Sequence, residues 1–222
     1  MPRHLLIPLL IVVLPFLAIS GTLAASVLIF RYRRDLMRAV DPVAFPKETK
    51  LALSLNDWAE EHGFSFLGSY QVNALGSAYV AAWEKEDEPT YFCVYYLNQT
   101  LARDFVTILD GTGALTTGNS ADALLFPCAP RDYKQTFPAT TIQQQWDRHR
   151  QALDFLKRSR DVKIRSDYAT FEEAFNAGLR EPMKYVMSLF LWPLRGPYWY
   201  FLRRTKMRNL PVEDLIKRGW IK

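Results

Sequence analysis

A run of 26 residues without a formal charge extends from Leu5 to Phe30. As an α-helix this run would be about 39 Å long, at about 1.5 Å per residue, and the hydrocarbon core of a bilayer is about 30 Å thick. Seventeen of the 26 residues are Leu, Ile, Val or Phe, and each favours insertion by roughly 0.3 to 0.6 kcal/mol. Pro8 and Pro15 are compatible with this assignment because transmembrane helices tolerate proline kinks. The sequence therefore predicts a single N-terminal transmembrane helix.

The charges at the two ends of this run predict its orientation. Arg3 precedes it, and four arginines follow it within eight residues: Arg31, Arg33, Arg34 and Arg38. Basic residues close to a membrane favour the cytoplasmic side, so we expect a single-pass protein whose soluble domain is cytoplasmic. The alternative is a signal peptide cleaved near residues 21–25. The apolar run continues past that site directly into the arginines, and this favours a retained helix.

The net charge of +5 is unevenly distributed along the chain. Residues 1–40 carry +4, residues 179–222 carry +7, and the middle of the chain carries −6. A domain that binds nucleic acid is expected to carry a basic folded surface, so a nucleic-acid partner is not predicted. We expect three parts: an anchor with a basic juxtamembrane segment (1–40), a folded domain (45–160) and a C-terminal segment (165–222).

Periodic patterns predict an α+β domain in the middle of the chain. Apolar residues recur at helical spacing over residues 49–62, and Gly63 follows as a helix cap. Six runs then read as strands with short connections, which favours an antiparallel meander. These runs cover residues 64–70, 78–85, 91–98, 103–110, 114–117 and 123–126. Residues 91–97 are apolar or aromatic at every position, so we expect this strand to be central and covered on both faces.

A second helix is predicted to begin at Thr141, because Thr141 and Gln144 match a capping box. The elements together predict a two-layer α+β domain, consisting of a helix, an antiparallel sheet of four to six strands and a second helix, followed by a helical C-terminal segment.

Residues 185–202 are rich in aromatic side chains and are interrupted at 193–197 by two prolines and a glycine. Aromatic and basic side chains favour the headgroup region of a membrane, so we expect an interfacial helical pair. The candidate membrane-interface residues are Trp192, Tyr198, Trp199, Arg203, Arg204, Lys206 and Arg208. A helix pair packed on the domain and a membrane-inserted hairpin are the alternatives.

No residue is assigned a catalytic, cofactor-binding or metal-binding role from the sequence. His62 and His149 lie on the apolar stripes of the two predicted helices, where a buried, hydrogen-bonded histidine is the simpler interpretation. A nucleophilic pair of Cys93 and His149 is the catalytic alternative, and no local signature supports it.

Two functional hypotheses follow from these patterns. The first is a membrane-tethered, non-enzymatic protein whose α+β domain binds a protein partner, and membrane lipid is the other expected partner. The second is the binding of an apolar ligand or lipid in a pocket between the sheet and the long helix. The candidate lining residues of that pocket are Phe66, Tyr70, Trp83, Tyr95 and Trp146.

Overall fold

The computed structural model describes residues 3–73, 77–85, 87–97, 100–111 and 113–221. The strands are β1 Met37–Ala39, β2 Phe64–Asn73, β3 Ser77–Lys85, β4 Thr90–Leu97, β5 Thr100–Leu109, β6 Gly113–Gly118 and β7 Asp132–Thr136. The α-helices are α1 Arg3–Tyr32, α2 Pro46–Leu53, α3 Asn56–Glu61, α4 Ile142–Arg160, α5 Phe171–Ser188, α6 Arg204–Met207 and α7 Val212–Lys217. The chain is an α+β protein with a mixed sheet, as the sequence predicted in outline.

The seven strands follow one another across the sheet in chain order, β1 to β7. Each neighbouring pair is antiparallel except β6 and β7, which are parallel. A parallel pair requires a long connection, and here residues 119–131 run back along the sheet between the two strands. The central position of β4 confirms the prediction from its unbroken apolar run.

Three details of the predicted sheet are wrong. The described part of the chain has seven strands rather than four to six, because β1 and β7 were not recognised. The sheet is not wholly antiparallel. Residues 123–126 do not form a strand, since a 3₁₀ helix occupies Ala121–Leu124 and the Ser120 hydroxyl accepts a hydrogen bond from the Asp122 amide. Local capping therefore overrides the apolar run at this point.

The first face of the sheet packs against α3 and α4. Trp83, Phe92 and Phe105 from three adjacent strands share one buried cluster with Trp146 of α4, and the Phe105 and Trp146 ring centroids are 5.1 Å apart. The capping box at Thr141 is confirmed, with the Gln144 amide donating to the Thr141 hydroxyl and the Gln144 side chain accepting from the Thr141 amide. This aromatic cluster fills the space between the sheet and the long helix.

The predicted helix over residues 49–62 is divided into α2 and α3. The break falls at Ser54, whose hydroxyl donates to the Leu51 carbonyl at 2.7 Å. Such side-chain bonds compete with the regular helical ladder. Gly63 has a positive φ of 77°, as the predicted helix cap requires.

The second face of the sheet packs against α5, so helices cover both faces and the arrangement is not two-layered. Phe171 of α5 lies against Tyr70 and Tyr91, with ring centroids 5.1 and 5.0 Å apart. Ala174, one turn further along α5, joins the same buried cluster. The sequence prediction placed only the first two helices on the sheet and did not include α5.

Helix α1 is long and apolar enough to cross a membrane over Val13–Tyr32, and 17% of its most apolar stretch is buried by the protein. Val27 is fully buried against Met183 and Val186 of α5 and against Trp199. The α1 helix ends where the Arg180 guanidinium donates to the carbonyls of residues 33 and 34, at 3.2 and 2.8 Å.

The last residues of the chain contribute to the main core. Met207, Val212 and Leu215 are buried together with Leu153 of α4 and Leu115 of β6. The Val212 amide also donates to the Gln135 side chain of β7 at 2.9 Å. These contacts tie the end of the C-terminal segment to the sheet.

Candidate functional site

A cavity of about 340 Å³ lies between the second face of the sheet and the helices α5 and α1. The strand walls come from β4, β5, β6 and β7, where side chains at alternate positions point to this face. The helical walls come from α5 and from Ser26 and Phe30 of α1. A second cavity of about 350 Å³ adjoins it and shares Ala114, Asp132, Gly178 and Pro182. The two together form one groove along α5.

Most of the cavity wall is apolar. Val106 and Ile108 of β5 face Phe175, Leu179 and other α5 side chains across the space. The remaining apolar lining residues are Phe30, Tyr91, Ala114, Ala123, Leu125, Phe126, Phe171, Ala174, Pro182 and Met183. The volume falls within the roughly 300–1,000 Å³ range of small-molecule sites, which are also mainly apolar with a few polar groups.

Charged side chains form one polar region of the cavity wall. Lys134 Nζ lies 3.0 Å from Asp132 Oδ2, and the two side chains are 16% and 9% exposed. Asp104, on the neighbouring part of the sheet, also lines the cavity. Asp122 is the third carboxyl of the lining, but it is 70% exposed and pairs with Arg204. The structure thus places Lys134 and the more buried carboxyls of Asp104 and Asp132 beside an apolar space, an arrangement suited to the polar end of an amphiphilic molecule.

Asp104 is the most perturbed carboxyl of this region. Burial raises its pKa from 3.8 to about 7, and the positive charge of Lys134 opposes this rise. Asp104 is only partly exposed and lines the cavity, so its charged form loses part of its solvation. Near neutral pH the carboxyl can therefore hold a proton and donate a hydrogen bond to a bound group.

Cys93 and Tyr95 of β4 lie beside Asp104 of β5, and the two β4 side chains share a hydrogen bond. Burial and the nearby Asp104 raise the pKa of the Cys93 thiol well above its usual range. A thiol held in its protonated form is a poor nucleophile. Cys93 therefore serves as a small apolar wall of the cavity.

His149 lies on the other face of the sheet from Cys93. Its Nε2 is 2.8 Å from the Thr107 hydroxyl and its Nδ1 is 2.9 Å from the Thr117 hydroxyl. Burial lowers its pKa to about 3, so the ring is neutral and both nitrogens are satisfied by threonines. The Cys93–His149 nucleophilic pair is wrong, because the sheet separates the two side chains.

His62 is also structural in character. Its Nδ1 lies 2.8 Å from the Trp58 carbonyl, and its ring stacks on the Trp58 ring with centroids 4.1 Å apart.

The structure distributes the predicted ligand-lining residues over both faces of the sheet. Tyr95 lines the cavity, and Tyr70 packs against Phe171 of α5 beside it. Trp83 and Trp146 belong to the aromatic cluster under α4. Phe66 is 40% exposed and packs edge-on against Trp83.

The predicted membrane-interface residues divide into buried and exposed sets. Trp199 is buried and Trp192 partly buried against α1 and α5, whereas Tyr198 is 53% exposed. The Arg203 guanidinium donates to the carbonyls of Leu124 and Phe126. Three basic residues remain: Arg204 pairs with Asp122, and Lys206 and Arg208 are exposed.

Sequence reasoning missed Asp104, Lys134 and the whole α5 wall. The signal for Asp104 was present, since residues 102, 104, 106 and 108 alternate along β5 and only Asp104 is charged among them. A lone carboxylate among apolar residues on the inner face of a strand points to a special environment.

No protein-family model, no curated protein and no solved structure matches this chain. Within the described residues, no group of three or more His, Cys, Asp or Glu side chains is placed to hold a metal ion. The geometry of the cavity is therefore the basis for a functional assignment.

Proposed function

We propose that this chain is a membrane-anchored protein that binds the apolar chain of a membrane lipid in the cavity between the sheet and α5. The observation that carries the proposal is that Ser26 and Phe30 of the apolar helix α1 form part of the cavity wall. A ligand site built partly from a membrane-spanning helix lies beside the bilayer, which is the source of lipid.

Several properties of α1 support its role as a retained anchor. The whole helix Arg3–Tyr32 is 30 residues long, which corresponds to about 45 Å and is enough to cross about 30 Å of hydrocarbon with tilt. Val13, Leu14 and Leu17 are exposed on the described structure and would face lipid. The buried Ser20, whose Cα would lie 3.3 Å from a Cβ on Gly196, favours retention, because cleavage near residues 21–25 would remove this contact.

The position of the cavity along α1 supports entry from the membrane. Ser26 and Phe30 are six and two residues before Tyr32, or about 9 and 3 Å along the helix axis. The arginines that follow Tyr32 would sit among the headgroups. The cavity wall is thus near the level at which acyl chains meet headgroups, on the side that the arginine count predicts to be cytoplasmic.

The polar region suggests the class of ligand. Lys134 is a cation paired with Asp132, and Asp104 can donate a hydrogen bond when it is protonated. A single apolar chain with a small polar or anionic head would place the chain against Val106 and Phe175 and the head near Lys134. Binding of a protein partner is the second hypothesis, and the observation that favours it is the exposed apolar side chain of Phe190.

Photo-crosslinking of the full chain tests the proposal. Nanodiscs would contain a phospholipid with a diazirine in its acyl chain, and labelled peptides would be mapped by mass spectrometry. We expect labels on Tyr91, Val106 or Phe175 inside the cavity as well as on Leu14 and Leu17, which report the bilayer. Labels confined to the exposed side of α1 would overturn lipid binding in the cavity.

A pair of variants on α5 sharpens this test. Ala174 lines the cavity, and Ala174→Leu should reduce cavity labelling at least threefold by occupying the space. Ala177 lies on the same helix outside the lining, so Ala177→Leu should leave labelling unchanged. Equal labelling of both variants would contradict the assigned site.

A further inference from the structure

Residues 189–202 expose an unusual concentration of apolar side chains. Phe190 is 77% exposed, and five others are about half exposed: Leu191, Leu194, Tyr198, Phe201 and Leu202. The only formal charge in these residues is Arg195. Clustered exposed apolar side chains of this kind mark a surface that is covered by a partner or a membrane.

The contact of this segment with α1 identifies what covers it. A Cβ built on Gly196 would lie 3.1 Å from Leu23 Cδ1 and 3.3 Å from Ser20 Cα. The segment therefore packs directly against the apolar helix, and glycine permits that close approach. Ser20 and Leu23 lie within the stretch Val13–Tyr32 that is long and apolar enough to cross a membrane.

The level of this contact can be estimated from the charges at the ends of α1. The midpoint between Arg3 and Arg31 is residue 17, so Ser20 and Leu23 lie about 4.5 and 9 Å towards the domain from the midpoint. Half of the hydrocarbon core is about 15 Å thick. Gly196 is therefore at the level of the acyl chains in the leaflet on the domain's side.

We propose that residues 189–202 form a second membrane contact, a wedge inserted into the acyl chains of the leaflet nearest the domain. The segment leaves the domain at the end of α5 and returns to it at Arg203, which binds the carbonyls of Leu124 and Phe126. It therefore enters and leaves on the same side and does not cross the bilayer. This inference rests on the membrane anchor of the proposed function and is independent of the cavity.

The backbone of the wedge is suited to an apolar environment. A 3₁₀ helix spans Trp192–Arg195 and a π-helix spans Tyr198–Arg203. The Trp192 and Leu194 amides donate to the carbonyls of Leu189 and Leu191 within the segment. Pro193 and Pro197 have no amide hydrogen to satisfy. Irregular backbone at membrane depth is tolerated where protein packs against it, and here α1 supplies that packing.

Arg195 limits how deeply the wedge inserts. An arginine at the bilayer centre costs roughly 2.5–3.5 kcal/mol on insertion scales, and the long side chain reduces this cost by extending towards the headgroups. When the segment inserts into a single leaflet, the Arg195 side chain has only a short distance to extend to the headgroups. Trp192 and Tyr198 fit the same leaflet, since aromatic side chains favour its outer boundary.

Site-directed spin labelling of the full chain in nanodiscs tests the wedge. Leu194→Cys and Phe201→Cys would each carry a nitroxide, and collision with oxygen and with a water-soluble nickel chelate would be measured. Leu17→Cys serves as the bilayer reference, and Val43→Cys, 80% exposed on the domain, serves as the aqueous reference. Cys93 is buried, and burial raises its thiol pKa and that of Cys128, so both native thiols should react slowly.

We expect labels at positions 194 and 201 to collide with oxygen and exclude nickel, as the label at 17 does. If the label at position 17 collides with oxygen and excludes nickel, while the labels at 194 and 201 are as accessible to nickel as the label at 43, the wedge is wrong and the anchor stands. If 17 itself is accessible to nickel, the anchor and the wedge both fail. Exclusion of both reagents at 194 and 201 would indicate coverage by protein and would also overturn the wedge.

Discussion

Gly118 lies so close to Asp104 on the neighbouring strand that a Cβ on the glycine would be 2.6 Å from the Asp104 Oδ1. The two residues are paired across β5 and β6. The absence of a side chain at position 118 therefore makes room for the carboxyl in the cavity wall.

Gly118→Ala should destabilise the protein by about 1–3 kcal/mol, because the new methyl group must displace the carboxyl or the backbone. The free energy of unfolding would be measured by urea titration of the full chain in detergent micelles. Asp104→Ala should relieve most of this cost when combined with Gly118→Ala. Additive effects of the two substitutions would show that they do not interact.

Asp104 should make stability depend on pH. Its pKa is raised from 3.8 to about 7 in the folded state, so between these values the unfolded chain loses a proton that the folded chain retains. The contribution of Asp104 is fully favourable at low pH and is lost as the pH rises through about 7, with a span of up to about 4 kcal/mol. Asp104→Asn should remove this loss and increase stability at pH 8. An unchanged pH profile would mean that the carboxyl is well solvated.

His149 should have the opposite effect on the pH profile. Its pKa is lowered from 6.5 to about 3, so its contribution is present above pH 6.5 and is lost as the pH falls. At pH 5 the loss amounts to about 2 kcal/mol. Because Asp104 gains stability over the same interval, the wild-type profile should be nearly flat. In Asp104→Asn, the loss of stability at low pH that His149 causes should become measurable. In Asp104→Asn combined with His149→Gln, this loss should disappear.

The difference between predicted and observed structure has a common physical cause. Elements with their own local signal, such as the capped helix at Thr141 and the apolar strand β4, were predicted from the sequence. β7 carries Asp132 and Lys134 on its inner face, so it lacks the apolar alternation by which strands are recognised. Its charges are tolerated because they pair with each other beside the cavity. The two residues are i and i+2 on one strand, so the pair forms once β7 is extended, but an apolar-alternation pattern does not detect it.

The site was partly predictable for a similar reason. A pocket was expected between the aromatic sheet and the long helix α4, but that space is filled and the cavity lies on the opposite face of the sheet. Trp146 of α4 fills one face, while α5 presents small residues such as Ala174 and Gly178 to the other and leaves space. The choice depends on how two helices from distant parts of the chain dock, and no local pattern encodes that docking.

Arg203 should hold the segment after β6 against the C-terminal helices. Its guanidinium donates to the Phe126 carbonyl at 2.9 Å and also to the Leu124 carbonyl, and it lies 3.8 Å from the Cys128 sulfur. Arg203→Met keeps much of the apolar stem but leaves both carbonyls without this donor, so we expect a loss of about 2–3 kcal/mol. Arg208→Met is the matched control, because Arg208 is exposed and its loss should cost under about 0.5 kcal/mol.

Hydrogen exchange gives the local readout of this change. Amides of residues 121–128 should exchange at least tenfold faster in Arg203→Met, because the 3₁₀ helix Ala121–Leu124 loses the contact that fixes its carbonyl end. Amides of β3 and β4, which are separated from β7 by β5 and β6, should exchange at their wild-type rates. Equal exchange in Arg203→Met and Arg208→Met would show that Arg203 does not anchor this segment, and the return of the wedge to the domain at Arg203 would lose its support.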